Sequence, residues 1–298
     1  MNTDNYYKHI LVAIDFSTYA KAALRQAVWF ARNSGAELAL IYAVPDYKRF
    51  SQKDSEIRQE SELKMRQLMM DLNAGELEVD FITKIGEPFV EIIHAVQGQG
   101  YDLVLAGTRG LANWEQFLVG STAKRLTRKC PASVWIVRSE NAGPPKVVLA
   151  ATDFSEVSRK AVLEGNCVAE RTGAEFHLVH VIDSGDVPPD LISRIPHGST
   201  LEKEIQKEGQ RRLDEFVKSL ETIRIRVQPH LILGTPWKEI QRLVQQLSVD
   251  LIAMGTVGRN GIEGLLLGNT ADKVLDHCDC SVLAVKPDGF VSPITPLA

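Results

Sequence analysis

The sequence predicts an α/β protein made of two copies of one parallel-sheet domain. Three observations predict it. Short, almost wholly apolar runs alternate with amphipathic helical stretches, as in sheets whose strands are buried on both faces by helices. One order of landmarks occurs twice, since Val-Ala-Ile-Asp15-Phe-Ser17 returns as Ala-Ala-Thr-Asp153-Phe-Ser155 at an offset of 138 residues. A glycine-spaced stretch also occurs twice: Gly107-Thr-Arg-Gly110, nine residues, Gly120-Ser121-Thr122, and then Gly255-Thr-Val-Gly258, nine residues, Gly268-Asn269-Thr270. A length of 298 residues accommodates two such domains.

Taken in order, His9–Ile14 is the first strand, with Asp15 at its carboxyl end. Ser17 is the expected N-cap of the next helix, whose face is Ala20, Ala23, Leu24, Ala27, Val28 and Ala31 and whose stop is Gly35. Glu37–Val44 is the second strand, Ser51–Leu72 a charged amphipathic helix, and Val79–Ile85 the third strand. Glu87–Gln97 reads as a helix with Pro88 tolerated in its first turn. Tyr101–Ala106 is the fourth strand, followed by the glycine loop and a helix to Lys129, and Ser133–Val137 is the fifth strand.

The order restarts at Lys146, after a linker Asn141–Pro145, so the expected domains are 1–143 and 144–298. At the glycine loop the offset has grown to 148, a gain of ten residues expected in the Pro- and Gly-rich stretch Asp183–Thr200. Asp250–Met254 and Ser281–Val285 repeat the last two strands, and the tail from Lys286, with Pro287, Pro293 and Pro296, reads as extended.

Composition excludes several classes. The chain is 44% hydrophobic and 24% charged with a net charge of −4, and its pI of about 6.0 lacks the basic footprint of a nucleic-acid binder. Residues 1–143 carry 17 basic and 17 acidic residues, so all the net acidity lies in the second half. Four cysteines (Cys130, Cys167, Cys278, Cys280) form no disulfide framework, and Cys278-Asp-Cys280 has too few partners for zinc. No apolar h-region opens the chain and no run reaches the roughly 20 residues of a membrane span, so a cytoplasmic protein without membrane contact is expected. There is no G-x-S-x-G elbow and no GxxxxGK[ST] loop, so no catalytic residue is assigned.

The chemistry lies in the glycine stretches. Each follows an apolar strand and leads into a helix, the order a phosphate site needs: glycine lets backbone N–H groups approach a ligand, and the free amides and dipole of the helix face the anion. Ser121 and Thr122 would add hydroxyls there. The competing reading is a loop that only turns a corner. Asp15 and Asp153 read either as caps of the following helix or as ligand contacts. Arg109 could reach a phosphate or be solvated, and Trp114 packs or covers the loop. Lys124, Arg125, Arg128 and Lys129 read as a structural complement to their helix dipole. His177 and His180 alternate on one strand, with His180 expected to pack rather than bind metal.

These features together resemble the universal stress protein family over nearly the whole chain, joined by Cys130-Pro131 before the last strand. The second half, with Gly255-Thr-Val-Gly-Arg-Asn-Gly and Leu267-Gly-Asn-Thr-Ala, is most similar to its tandem E-type branch. The resemblance implies two tandem Rossmann-like domains of the adenine nucleotide alpha hydrolase type, each a five-stranded parallel sheet with helices on both faces. It implies ATP, with or without Mg2+, lying across the strand ends. Ala13, Asp15 and Ala43 would border adenosine, Gly107 and Gly110 the ribose and phosphate, and Gly120, Ser121 and Thr122 the triphosphate, with Arg109 within reach. The second set would be Ala151, Asp153, Val181, Gly255, Gly258, Gly268, Asn269 and Thr270. Asn269 departs from the expected Ser or Thr but could still cap a helix, and Val257 stands opposite Arg109; the first half is therefore the stronger expected site. The family pairs domains along the last strand, which implies an intramolecular pseudo-dimer and further homodimerisation. The expected role is a nucleotide-dependent stress regulator acting on an unidentified protein partner. The alternatives are a weak ATPase or phosphotransferase using Arg109, and a nucleotide-free scaffold for a partner or apolar ligand.

Overall fold

A computed structural model describes residues 7–46, 53–108, 119–183, 200–220, 223–257 and 267–297. The first half runs β1 (His9–Ala13), α1 (Thr18–Ser34), β2 (Glu37–Val44), α2 (Asp54–Asp71), β3 (Val79–Ile85), α3 (Pro88–Gln99), β4 (Leu103–Gly107), α4 (Ser121–Lys129) and β5 (Ser133–Val137). The second repeats it as β6 (Val147–Ala151), α5 (Glu156–Thr172), β7 (Glu175–Ile182), α6 (Leu201–Lys218), β8 (Val227–Leu233), α7 (Pro236–Gln246), β9 (Leu251–Gly255), α8 (Asn269–His277) and β10 (Ser281–Val285).

All ten strands join one sheet in the order β3-β2-β1-β4-β5-β10-β9-β6-β7-β8. Pairing is parallel within each half and antiparallel at the seam, where Trp135 faces Leu283 and Val134 faces Ala284. Two apolar layers cover the sheet. Side chains of α1, α2, α5 and α6 pack on one face, and those of α3, α4, α7 and α8 on the other. Each layer runs across both halves, so the seam is core rather than surface.

Local chemistry accounts for most boundaries. The Ser17 and Ser155 side chains accept from Ala20 N and Ser158 N at the starts of α1 and α5, and Gly35 and Gly173 end those helices in the left-handed region. α3 outruns the expected Gln97 by two residues, because Gly98 continues the helix and Gly100, at φ 72°, is the stop. Residues 51 and 52 of the expected second helix lie outside the described residues, and its described part begins at Asp54. Of the expected excursion Asp183–Thr200, residues 184–199 lie outside them too. The flanking elements still place nine of the ten extra residues there, since β7 ends at Ile182 and α6 begins at Leu201, against Val44 and Asp54 in the first half.

Asp102 accepts from Lys8 N at 2.7 Å, and Asp250 from Lys146 N at 2.7 Å. Each thereby ties the start of a half to the start of its fourth strand. The C-terminal tail forms no helix or strand among the described residues but docks on α3, where Gln97 Nε2 donates to the Ile294 carbonyl at 2.9 Å.

Candidate functional site

In each half the strand order reverses between the first and fourth strands, β1 and β4 or β6 and β9, and the crevice of such a sheet opens at their carboxyl ends. Three segments meet there in the first half. Asp15 follows β1, the feet of the glycine loop follow β4, and α4 begins at Ser121.

The Asp15-Phe16-Ser17 turn is tight. Phe16 is in the left-handed region at φ 66°, and Phe154 repeats it at 65°, a conformation that costs a non-glycine residue energy. The aspartates help hold it: Asp15 Oδ1 accepts from Ser17 N at 3.0 Å, and Asp153 Oδ1 from Ser155 N at 3.0 Å and Ser155 Oγ at 2.5 Å. Aromatic packing seats the strained residues, Phe16 edge-on to Tyr42 at 4.9 Å and Phe154 against His180 at 4.1 Å. His180 Nδ1 also donates to the Thr152 carbonyl at 2.8 Å, and among the described residues no group of three His, Cys, Asp or Glu could hold a metal.

Gly107 is needed for packing. A Cβ there would lie 2.6 Å from the Tyr19 carbonyl carbon and 2.8 Å from Ala20 N, so its absence lets the first turn of α1 cross the end of β4. At Gly255 a Cβ would meet Val157 Cγ1 at 2.7 Å and Ser158 N at 3.4 Å. These close crossings bring the aspartate turn and the loop to one place. Ala13 and Ala151 end β1 and β6, while Ala43 and Val181 lie near the ends of β2 and β7. Arg109, Gly110, Gly258 and Trp114 lie outside the described residues.

The loop feet are joined by Gly120 N donating to the Thr108 carbonyl at 2.6 Å, and by Gly268 N to the Thr256 carbonyl at 2.6 Å. Gly120 and Gly268 are the N-caps of α4 and α8, and neither helix has a side-chain cap bond. This corrects the expectation that Asn269 could serve as a cap. It is the first helical residue and exposed, one position too late to reach back over its own first-turn amides.

The four cations of α4 all have structural partners. Lys124 pairs with Asp276 at 2.6 Å and Arg128 with Asp272 at 2.7 Å, both on α8. Arg125 pairs with Glu87 at 2.6 Å and lies over the Phe89 ring, which Lys129 also approaches. Away from the crevice, His177 Nδ1 and His230 Nε2 share a hydrogen bond at 2.9 Å between β7 and β8, and burial lowers the pKa of His230.

The model of the "Universal stress protein family" matches residues 6–138 and again 145–286. The chain belongs to the universal stress protein family. Universal stress protein E of Escherichia coli (strain K12) is 27% identical, over 97% of this chain and 96% of its own length. Universal stress protein MJ0531 of Methanocaldococcus jannaschii is 32% identical over 47% of this chain and 82% of its own length. A universal stress protein structure from Archaeoglobus fulgidus DSM 4304 superposes with a TM-score of 0.70 at 22% identity, covering 96% of this chain and 99% of that one, which shows a shared fold. A stress-response role follows from the family.

In this universal stress protein, sequence reasoning missed Thr108 and Thr256. Both are buried, and each pins its loop to the last strand, with N and Oγ1 donating to the carbonyl of Val137 or Val285. The signal was present as the threonine after each first loop glycine. Its role depends on a strand that begins 25 residues later, so spacing alone could not reveal it.

Proposed function

We propose that this universal stress protein acts as a stress-response regulator by binding ATP in its first half, across the ends of β1 and β4. The observation that carries the reading is the N-terminus of α4, whose N-cap is a glycine with no side-chain cap bond, at the same strand ends as the Asp15 turn. Amides and dipole there favour an anion. Ser121 and Thr122, in that turn, add hydroxyl donors, and Asp15 stands where a ribose hydroxyl could be accepted. These residues fit a nucleoside polyphosphate.

The second half is the weaker site. The first turn of α8 holds Asp272, which already engages Arg128, whereas that of α4 holds no acid, so the α8 end offers an incoming phosphate a less positive field. Asn269 also replaces the hydroxyl of Ser121. Bound nucleotide would stabilise the fold by mass action and change the surface that a protein partner reads.

The test is mass spectrometry of nucleotide that co-purifies, followed by calorimetric ATP titration of the stripped protein. One site per chain is expected, lost in Gly120→Val and kept in Gly268→Val. Gly120 has φ −59°, so valine suits its backbone and acts through bulk at the anion end. Two equal sites would overturn the asymmetry. No binding would sink the nucleotide reading and leave a scaffold.

A further inference from the structure

Arg138 and Lys286 are equivalent residues, each directly following the last strand of its half. Neither contacts its own half's loop helix in a described hydrogen bond; each reaches the other's. Lys286 Nζ donates to the carbonyls of Thr127 and, at 3.0 Å, Arg128, in the last turn of α4. Arg138 Nη2 donates to the Leu275 carbonyl in the last turn of α8. The antiparallel β5–β10 pairing makes the crossing, because the chain leaving each strand emerges at the opposite half's helix.

Both contacts fall where they matter most for a short helix. The last carbonyls of a helix lack intrahelical partners, and a cation there complements the dipole. α4 and α8 have nine residues each, about 13 Å at ~1.5 Å per residue, so the C-terminal cap and the anion end are ends of one small rigid body. The N-terminal ends have no side-chain cap, so the described side-chain bonds to free terminal carbonyls or amides of these helices fall at the far end.

Lys286 is 1% exposed, and among the described residues no carboxylate pairs with it. Burial pushes its pKa down to about 8. The contact is therefore a built one, since an ammonium this deep is costly unless its donors are satisfied. Beyond Lys286 the tail continues over the first half, where His94 Nε2 meets the Thr295 carbonyl at 3.1 Å.

We propose that Arg138 and Lys286 are crossed positioning residues, each half supplying the cation that seats the anion-binding helix of the other. Ligand affinity at one loop then depends on the partner half, a consequence that rests on the nucleotide reading above. The seating itself does not.

The experiment is hydrogen–deuterium exchange by mass spectrometry on the full chain, with ATP titration of the same variants. Lys286→Met is expected to speed exchange across 121–129 at least about fivefold while leaving 269–277 unchanged, with Arg138→Met giving the mirror pattern; fivefold is the lower end of coupling between distinct sites. Lys286→Arg restores protection. Lys286→Met also weakens ATP binding in the first half at least about fivefold. Should Lys286→Met fail to fold, Lys286→Gln, which keeps a donor, carries the test through acceleration confined to 121–129. Equal acceleration of both helices, an effect confined to the variant's own half, or no change would overturn the crossed seating. Crossed exchange with unchanged ATP affinity would overturn the coupling to ligand. Crossed exchange in a chain that binds no ATP would uphold the seating and remove the nucleotide reading alone.

Discussion

Glu164 shows how a single buried group ties the halves together. It lies on α5 at 2% exposure and accepts from Tyr7 Oη and, at 2.8 Å, from Ser133 Oγ, both residues of the first half. Burial raises its pKa above the ordinary 4.5, outweighing the two hydrogen bonds that favour the carboxylate. A raised folded-state pKa means the native state holds its proton to higher pH than the unfolded chain. Its stabilising contribution is full below the unfolded pKa near 4.5 and is lost as pH rises through the folded value. Glu164→Gln keeps the acceptor and the shape but cannot titrate. Urea midpoints measured from pH 5 to pH 8 should fall less steeply in the variant, with the gain over wild type largest at the alkaline end. Parallel curves would show that Glu164 does not titrate at the seam.

At the scale of elements, the strand-end crevice is made by helices crossing strands closely. Gly107 and Gly255 occupy the same place in the repeat, but their surroundings differ. A Cβ at Gly107 meets backbone atoms of Tyr19 and Ala20, whereas at Gly255 its nearest neighbour is a valine methyl. Backbone yields less readily than a side chain. Gly107→Ala should therefore cost about 1–3 kcal/mol, the range for overpacking a close-packed contact, and Gly255→Ala less. Thermal or urea unfolding of the two variants checks the ordering. The same substitution at Gly107 pushes α1 away from β4, so it should loosen the Asp15 turn as well.

For the whole molecule, the decisive feature is that β5 and β10 pair within one chain. The last-strand edge through which a second chain might have paired is thereby occupied, and among the described residues the outer strands of the ten-stranded sheet are β3 and β8. β8 carries Pro229, which has no N–H to offer a further strand. Charge makes the two halves unlike partners: α4 supplies Lys124 and Arg128, and α8 answers with Asp276 and Asp272 at pseudo-symmetric positions. Two identical halves would place like charges together. Partly exposed pairs are weak individually, so Lys124→Asp with Arg128→Asp should lower stability by only about 1–2 kcal/mol. Adding Asp272→Lys and Asp276→Lys should restore most of it, because the pairs couple across the seam. Urea unfolding at low and high salt checks this, and the loss should shrink as salt screens it.

The alternation of strands and helices, the duplication, the caps at Ser17 and Ser155 and the strand-end glycines at 107 and 255 were all legible in the sequence. They rest on short-range physics, namely side-chain periodicity, capping oxygens and glycine's backbone freedom, which act within a few residues of one another. Asp15 and Asp153 stood out for the same reason, although the structure adds that their carboxylates serve the local turn. The roles of Thr108 and Thr256, the need for glycine at 107, and the crossed caps of Arg138 and Lys286 were not legible. Each depends on an atom brought close only when strands from distant parts of the chain, or from the other half, take their order in the sheet. The basic face of α4 could be read only as a complement to its own dipole until α8 supplied the acids. Sequence determined what each half is, and the antiparallel seam decided which helix of the other half Arg138 and Lys286 reach.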